Sequence, residues 1–288
     1  AKESKIRGIR QILSPVINIA TDVRWGRTEE TYGEDPFLSS KMGVAYMKTL
    51  EDENIIATPK HFVANVGDGG RDSYPIDMNE RYLSEIHYPP FKDAVQKAGA
   101  RSIMTSYNSV NGSPATANDY LLNDLLKKQW GFNGFVISDA GAVGGANVLH
   151  YTAKDYPDAG KNAVNNGLDV LFQTAQEHYK LFIPPFLNGD INQARLDDIK
   201  TSAGMIERAG IGSEGLAGVG AVKGKELADA AANAKNEGRL ADTKLSNQMF
   251  EIYSAVGAQR AGLNQAALAN DKQISQGMFE RAATGSTG

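Results

Sequence analysis

The chain has 288 residues, 41% hydrophobic and 22% charged, a composition that supports a globular core of domain size or larger. Its formal net charge of -4 leaves no electrostatic footprint for nucleic acid or an anionic membrane, and no window reaches the roughly 18 apolar residues of a membrane span. With no cysteine, disulfides, thiolate metal sites and a cysteine nucleophile are excluded, while cytoplasmic, periplasmic and secreted locations all stay open.

The chain starts at Ala1 rather than methionine, in residues that read as the tail of a helix, Lys2 to Ile9, and a fragment or processed product is expected. Gln11 to Ala20 is strand-like, with Pro15 near its middle. A helix follows, with Asp35 as N-cap, Pro36 at the first helical position, and Leu38, Met42, Ala45 and Leu50 assigned to its inward face. Ile55 to Phe62 is the second strand. Asn79 to Ala98 reads as a helix interrupted at Pro89-Pro90, because proline lacks a backbone donor and restricts its predecessor. Ser102 to Tyr107 is the third strand, and Leu121, Leu122, Leu125, Leu126 and Trp130 mark a helix that Gly131 ends. The fourth strand, Gly134 to Asp139, is apolar along both faces, as strands buried in parallel sheets are. Asp158 to Asn166 is helical, Leu168 to Phe172 is a fifth strand, and two helices run from about Ala175 to Arg208.

Alternating strands and helices imply an α/β fold of parallel strands. A closed barrel needs about eight strands, so residues 1–209 are expected to form an incomplete (β/α)8 TIM-type barrel whose first strands precede Ala1. Residues 210–227 are glycine-rich and read as a linker, and 228–288, rich in Ala, Asn and Gln, as a helical segment with a narrow apolar stripe. Open barrel edges are a hazard for folded proteins, and the tail, a second copy or a partner chain is expected to cover them.

Asp139 ends the fourth strand, where burying a carboxylate costs roughly several kcal/mol unless donors or cations compensate. Strand C-terminal ends are where barrel enzymes build their sites. Those ends would gather Arg27, Lys60, His61, Arg71 and Tyr107 around this acid, and the cations are expected to lower its pKa. Other polar residues read as structural. Trp25 is assigned to packing, and Glu29 and Glu30 to ion pairs with Arg24 or Arg27. The loop Gly67 to Gly70 lacks the Gly-Lys-Ser/Thr ending of a phosphate cradle, Asp68 and Asp72 are too few for a calcium loop, and His87 and His150 stand alone.

Five motifs, in order, resemble glycoside hydrolase family 3 over about residues 1–205: Ser14-Pro15-Val16; Arg24-Trp25-Gly26-Arg27-Thr28-Glu29-Glu30 running to Asp35-Pro36; Lys60-His61-Phe62; Ser106-Tyr107-Asn108 with Asn111-Gly112; and Ser138-Asp139. By that resemblance Asp139 is the nucleophile of a retaining β-glucosidase or β-xylosidase. Arg27, Lys60 and His61 hydrogen-bond the hydroxyls of the nonreducing-end sugar, Tyr107 lies beside the nucleophile, and neither metal nor cofactor is needed; Arg71 and Tyr107, from their place after the strand ends, are assigned to substrate binding with them. The sequence departs from the family pattern in three ways. The sugar-binding aspartate of the first barrel strand and the acid/base glutamate of a following α/β sandwich domain have no counterpart, and Ala140 stands where glucosidases commonly carry Trp. Asn65 and Tyr74 stand where the N-acetylhexosaminidase branch places histidines, which disfavours that branch. Two readings follow: a catalytic barrel acting on a β-linked glycoside, its acid/base residue supplied from elsewhere, or a catalytically silent assembly or sugar-binding subunit with an inherited half-site.

Overall fold

The computed structural model describes residues 1–67, 74–172 and 183–199, all within the unit Ala1–Glu237. Arg71, the expected linker and the Ala-rich helical segment lie outside these residues.

Strands β1 (Gln11–Ile12) and β2 (Ile56–Ala57) pair in parallel. So do β3 (Ser102–Met104) and a strand over Phe135–Ile137; between these lies an antiparallel hairpin of β4 (Ser109–Val110) and β5 (Ser113–Pro114), which makes Phe135–Ile137 β6. Single parallel bridges, Val16 to Lys60, Phe62 to Thr105 and Ile137 to Val170, join the parallel pairs into five neighbouring segments in chain order. The expected parallel strands are therefore present but short, and the fifth is one bridge at Val170. The hairpin, turning at Asn111-Gly112, was not expected.

Alternation along β3 and β6 explains their unbroken apolar runs. Ile103 and Val136 join the large core beneath the helices, whereas Met104, Phe135 and Ile137 join a second cluster with Ile56 and Val170 on the opposite face. In the large core, Phe62 meets Phe91 and Trp130 edge-on, with ring centroids 5.2 and 5.9 Å away. Such a buried side chain contributes roughly 1.5–3 kcal/mol by leaving water. Just before β6, a Cβ at Gly134 would sit 2.2 Å from the Arg101 carbonyl oxygen, so only glycine lets the two backbones come this close.

Two helices differ from expectation. In Pro36–Asp52, capped by Asp35 Oδ1 accepting from Phe37 N at 2.8 Å, the buried stripe is Ser39, Ser40, Gly43, Met47 and Leu50. Leu38 and Met42 are each 47% exposed, and Ala45 also faces out. The cause is close packing: a Cβ on Gly43 would meet Ile17 Cγ2 at 2.8 Å, so small residues take the face against the sheet and the larger ones are displaced outward. Farther along, helix Glu80–Tyr82 passes into a π-helical stretch, Leu83–His87, and then into helix Tyr88–Gln96. The irregularity thus precedes Pro89-Pro90. The widened turn leaves both prolines in the opening turn of a new helix, where their missing N–H groups need no partner.

Candidate active site

The segments after the strands form the site. After strand one, the chain makes a 3-10 turn, Val23–Trp25, capped by Asp22, whose Oδ1 accepts from Arg24 N at 2.9 Å. Trp25 is fully buried, as the packing assignment requires, and Arg24 turns outward to pair with Asp22. That leaves Arg27 pointing inward at the start of a second 3-10 turn, Thr28–Glu30. Glu30 brackets its guanidinium, accepting from Nε and Nη2 at 2.8 Å each.

After strand two, buried His61 is held on its backbone side by buried Asn18 of strand one. Asn18 Nδ2 donates to the His61 carbonyl at 2.9 Å, and Asn18 Oδ1 accepts from the His61 backbone N–H at 2.7 Å. Asn18 Oδ1 also lies 3.0 Å from His61 Nδ1. On the other edge of the ring, Nε2 is 3.0 Å from Arg27 Nη2 and 3.4 Å from Asp139 Oδ2.

Asp139 itself is 8% exposed directly beyond β6. Its Oδ1 accepts from Ala140 N at 2.7 Å. The Tyr107 hydroxyl reaches both the Ala140 carbonyl, at 3.1 Å, and the Asp139 carboxylate; its single proton serves one of them at a time. The Tyr107 carbonyl in turn accepts from His150 Nε2 at 2.8 Å, so His150 is not the isolated residue the sequence implied.

Electrostatically the site corrects one expectation. Burial pushes the Asp139 pKa above the ordinary carboxylate value; the Ala140 N–H, Tyr107, Lys60 and Arg27 pull it down but do not win. Burial and the charges of Arg27 and Lys60 hold His61 well below its usual pKa, so it is neutral near pH 7 rather than one of the cations. Lys60 is lowered as well, first by burial and then by Arg27, while Asp139 and Glu30 oppose the shift. Among the described residues the expected cationic ring is therefore two cations, Arg27 and Lys60, with a neutral imidazole around a carboxylate of raised pKa.

Arg27, Lys60, His61, Tyr107 and Asp139 are thus brought together, with Arg71 outside the described residues. Sequence reasoning missed Asn18 and His150. Asn18 carried a signal, a polar residue inside the apolar run Val16-Ile17-Asn18-Ile19, whereas nothing in the sequence pointed His150 at Tyr107. Among the described residues, no group of three or more His, Asp and Glu side chains is arranged to hold a metal ion. The arrangement offers a mostly buried carboxylate at a strand's C-terminal end, flanked by donors suited to hydroxyl groups.

Residues 1–202 match the glycosyl hydrolase family 3 N-terminal domain. The chain is 34% identical over 206 residues to a periplasmic β-glucosidase of Salmonella typhimurium, a match covering 69% of the chain and 26% of that protein. It is 40% identical over 183 residues to a β-xylosidase of Formosa agariphila, covering 59% and 25% respectively. The solved structure of a β-glucosidase from Erythrobacter marinus superposes with a TM-score of 0.68 at 29% identity, covering 80% of this chain and 33% of that one. The described α/β fold is accordingly a TIM-type barrel domain, and the chain spans about a quarter of the length of these curated relatives.

Proposed function

Since the chain belongs to glycosyl hydrolase family 3, we propose that it is the barrel portion of a retaining β-glycosidase that releases glucosyl or xylosyl units from nonreducing ends. Asp139 attacks the anomeric carbon. The glycosidic C–O bond breaks as the ester C–O bond forms, and its electron pair leaves with the aglycone oxygen. Water then attacks the anomeric carbon of the glycosyl-aspartate, giving its proton to the conjugate base of the acid that served the leaving group, or to solvent, and Asp139 departs as carboxylate. Arg27 and Lys60 donate to sugar hydroxyls, neutral His61 lines the same pocket, Tyr107 steadies the nucleophile, and Arg71 joins from the rim loop. In this reading residues 1–209 are a partial catalytic barrel, 210–227 a linker and 228–288 a separate helical segment. The acid that protonates a natural leaving group comes from another domain or chain.

The observation that carries the proposal is Asp139, buried at a strand's C-terminal end with Oδ2 3.4 Å from His61 Nε2, which itself contacts Arg27. Dinitrophenolate needs no proton to depart, so 2,4-dinitrophenyl β-glucoside or β-xyloside should glycosylate the chain without an acid. The expected result is a burst of about one equivalent of dinitrophenolate, with a sugar adduct on the Asp139 peptide by mass spectrometry. Asp139→Ala should abolish both. A native chain that shows neither burst nor adduct refutes the assignment.

A further inference from the structure

We infer that Asn18 is a positioning residue that fixes the His61 tautomer, and through it keeps the Asp139 oxygen that faces the imidazole free of a hydrogen bond from that ring. The Asn18 amide has no freedom to flip. Its Nδ2 donates to the His61 carbonyl and its Oδ1 accepts from the His61 backbone N–H, a two-point pairing that only one orientation satisfies. The same Oδ1 is the atom 3.0 Å from His61 Nδ1. An oxygen there can only accept, so the imidazole proton resides on Nδ1. Arg27 imposes the same condition from the opposite edge, because its guanidinium only donates and Nη2 lies 3.0 Å from Nε2. Two rigid constraints therefore agree on a neutral ring with Nδ1 protonated and a lone pair on Nε2.

The consequence falls on Asp139. At 3.4 Å, an Nε2–H would donate to Oδ2 and draw electron density from the carboxylate. With the lone pair there instead, Oδ2 keeps its charge. The kinetic part of this inference rests on Asp139 being the nucleophile; the tautomer itself does not.

If Asn18 is replaced by leucine, the buried Nδ1–H loses its acceptor and Arg27 alone still opposes a proton on Nε2, so part of the population shifts to the tautomer with Nε2–H donating to Asp139. The measurement is 15N NMR of the full chain labelled at histidine, with the His61 signals identified by their loss in His61→Gln. Wild type should show protonated Nδ1 and bare Nε2, and Asn18→Leu a measurable shift towards the reverse. In parallel, the dinitrophenyl β-glycoside burst should slow in Asn18→Leu, by up to about tenfold, the scale of one charge-assisted hydrogen bond. A wild-type His61 protonated on Nε2 or on both nitrogens overturns the inference, whether or not Asn18→Leu folds. So does a folded Asn18→Leu that retains the Nδ1 proton and the wild-type burst. A wild-type chain without a burst but with the expected tautomer removes the proposed function and its kinetic corollary, and leaves the positioning role standing.

Discussion

Two buried aspartates at opposite ends of neighbouring strands are treated very differently. Asp169, at the start of the fifth segment with a side chain 1% exposed, accepts from Val136 N at 2.7 Å and from Arg195 Nη2 at 2.9 Å, with Lys127 Nζ at 3.4 Å. Arg195 also donates to the Val164 and Leu168 carbonyls and pairs with Asp198, so the cluster joins the 193–199 helix to the sheet. Asp139, at the far end of β6, receives one backbone N–H at close range and a share of the Tyr107 proton, while Glu30 neutralises Arg27 nearby. A carboxylate that secures the fold is saturated with donors. Asp139, the nucleophile of the proposed function, is left incompletely solvated, and its raised pKa records the cost.

Removing each acid separates the two roles most sharply. Asp169→Ala leaves Arg195 and Lys127 with Asp198 as their carboxylate partner and the Val136 N–H without an acceptor, and should lower the unfolding free energy by about 3 kcal/mol, since breaking one side of a buried ion pair leaves charge poorly compensated. Asp139→Ala should lose the burst entirely while leaving stability unchanged or higher, because burial already disfavours that carboxylate. Urea unfolding of both variants checks the pair, and equal destabilisation would erase the distinction.

A second variant probes the core between these ends. His87 is 2% exposed in the π-helical stretch, and its pKa is lowered by burial to about 4. Above pH 6.5 the folded and unfolded chains both carry it neutral. As pH falls from 6.5 towards 4, the unfolded chain takes up a proton that the folded one refuses, so stability should drop by about 3 kcal/mol from this residue. His87→Phe should flatten that part of the stability–pH curve. An unchanged slope in denaturant titrations between pH 6.5 and 4 would refute the assignment.

What the sequence disclosed and what it withheld follow the same physical division. Asp139 was legible because an acid ending an apolar strand is anomalous wherever the strand lies, and the rim positions of Arg27, Lys60, His61 and Tyr107 follow from strand order alone. The phase of the Pro36–Asp52 helix was not legible. A hydrophobic pattern places large apolar residues inward, whereas the helix lies so close to Ile17 that Ser39, Ser40 and Gly43 had to face the sheet. Likewise, the charges around Asp139 were legible but its depth and distances were not, and depth decides the direction of its pKa. Asn18 acts only through atoms that strand pairing brings beside His61, 43 positions away in sequence.

The smallest expected effect tests how Lys60 poises Asp139. Lys60 lowers the Asp139 pKa, opposing the larger upward effect of burial. Lys60→Met keeps the length of the side chain and removes its charge, so the carboxyl should rise further above the ordinary carboxylate value. Only the ionised form attacks, so the acid limb of the burst rate against pH should move to higher pH. His61 cannot produce this limb, because it is neutral well below its ordinary pKa. An acid limb that stays put or moves down in Lys60→Met would mean that Lys60 does not act on Asp139 through charge. A limb that moves up, with the burst amplitude retained at high pH, would fix Lys60 as the counterweight to burial at this end of the sheet, the role that Arg195 and Lys127 fill by direct contact at the other.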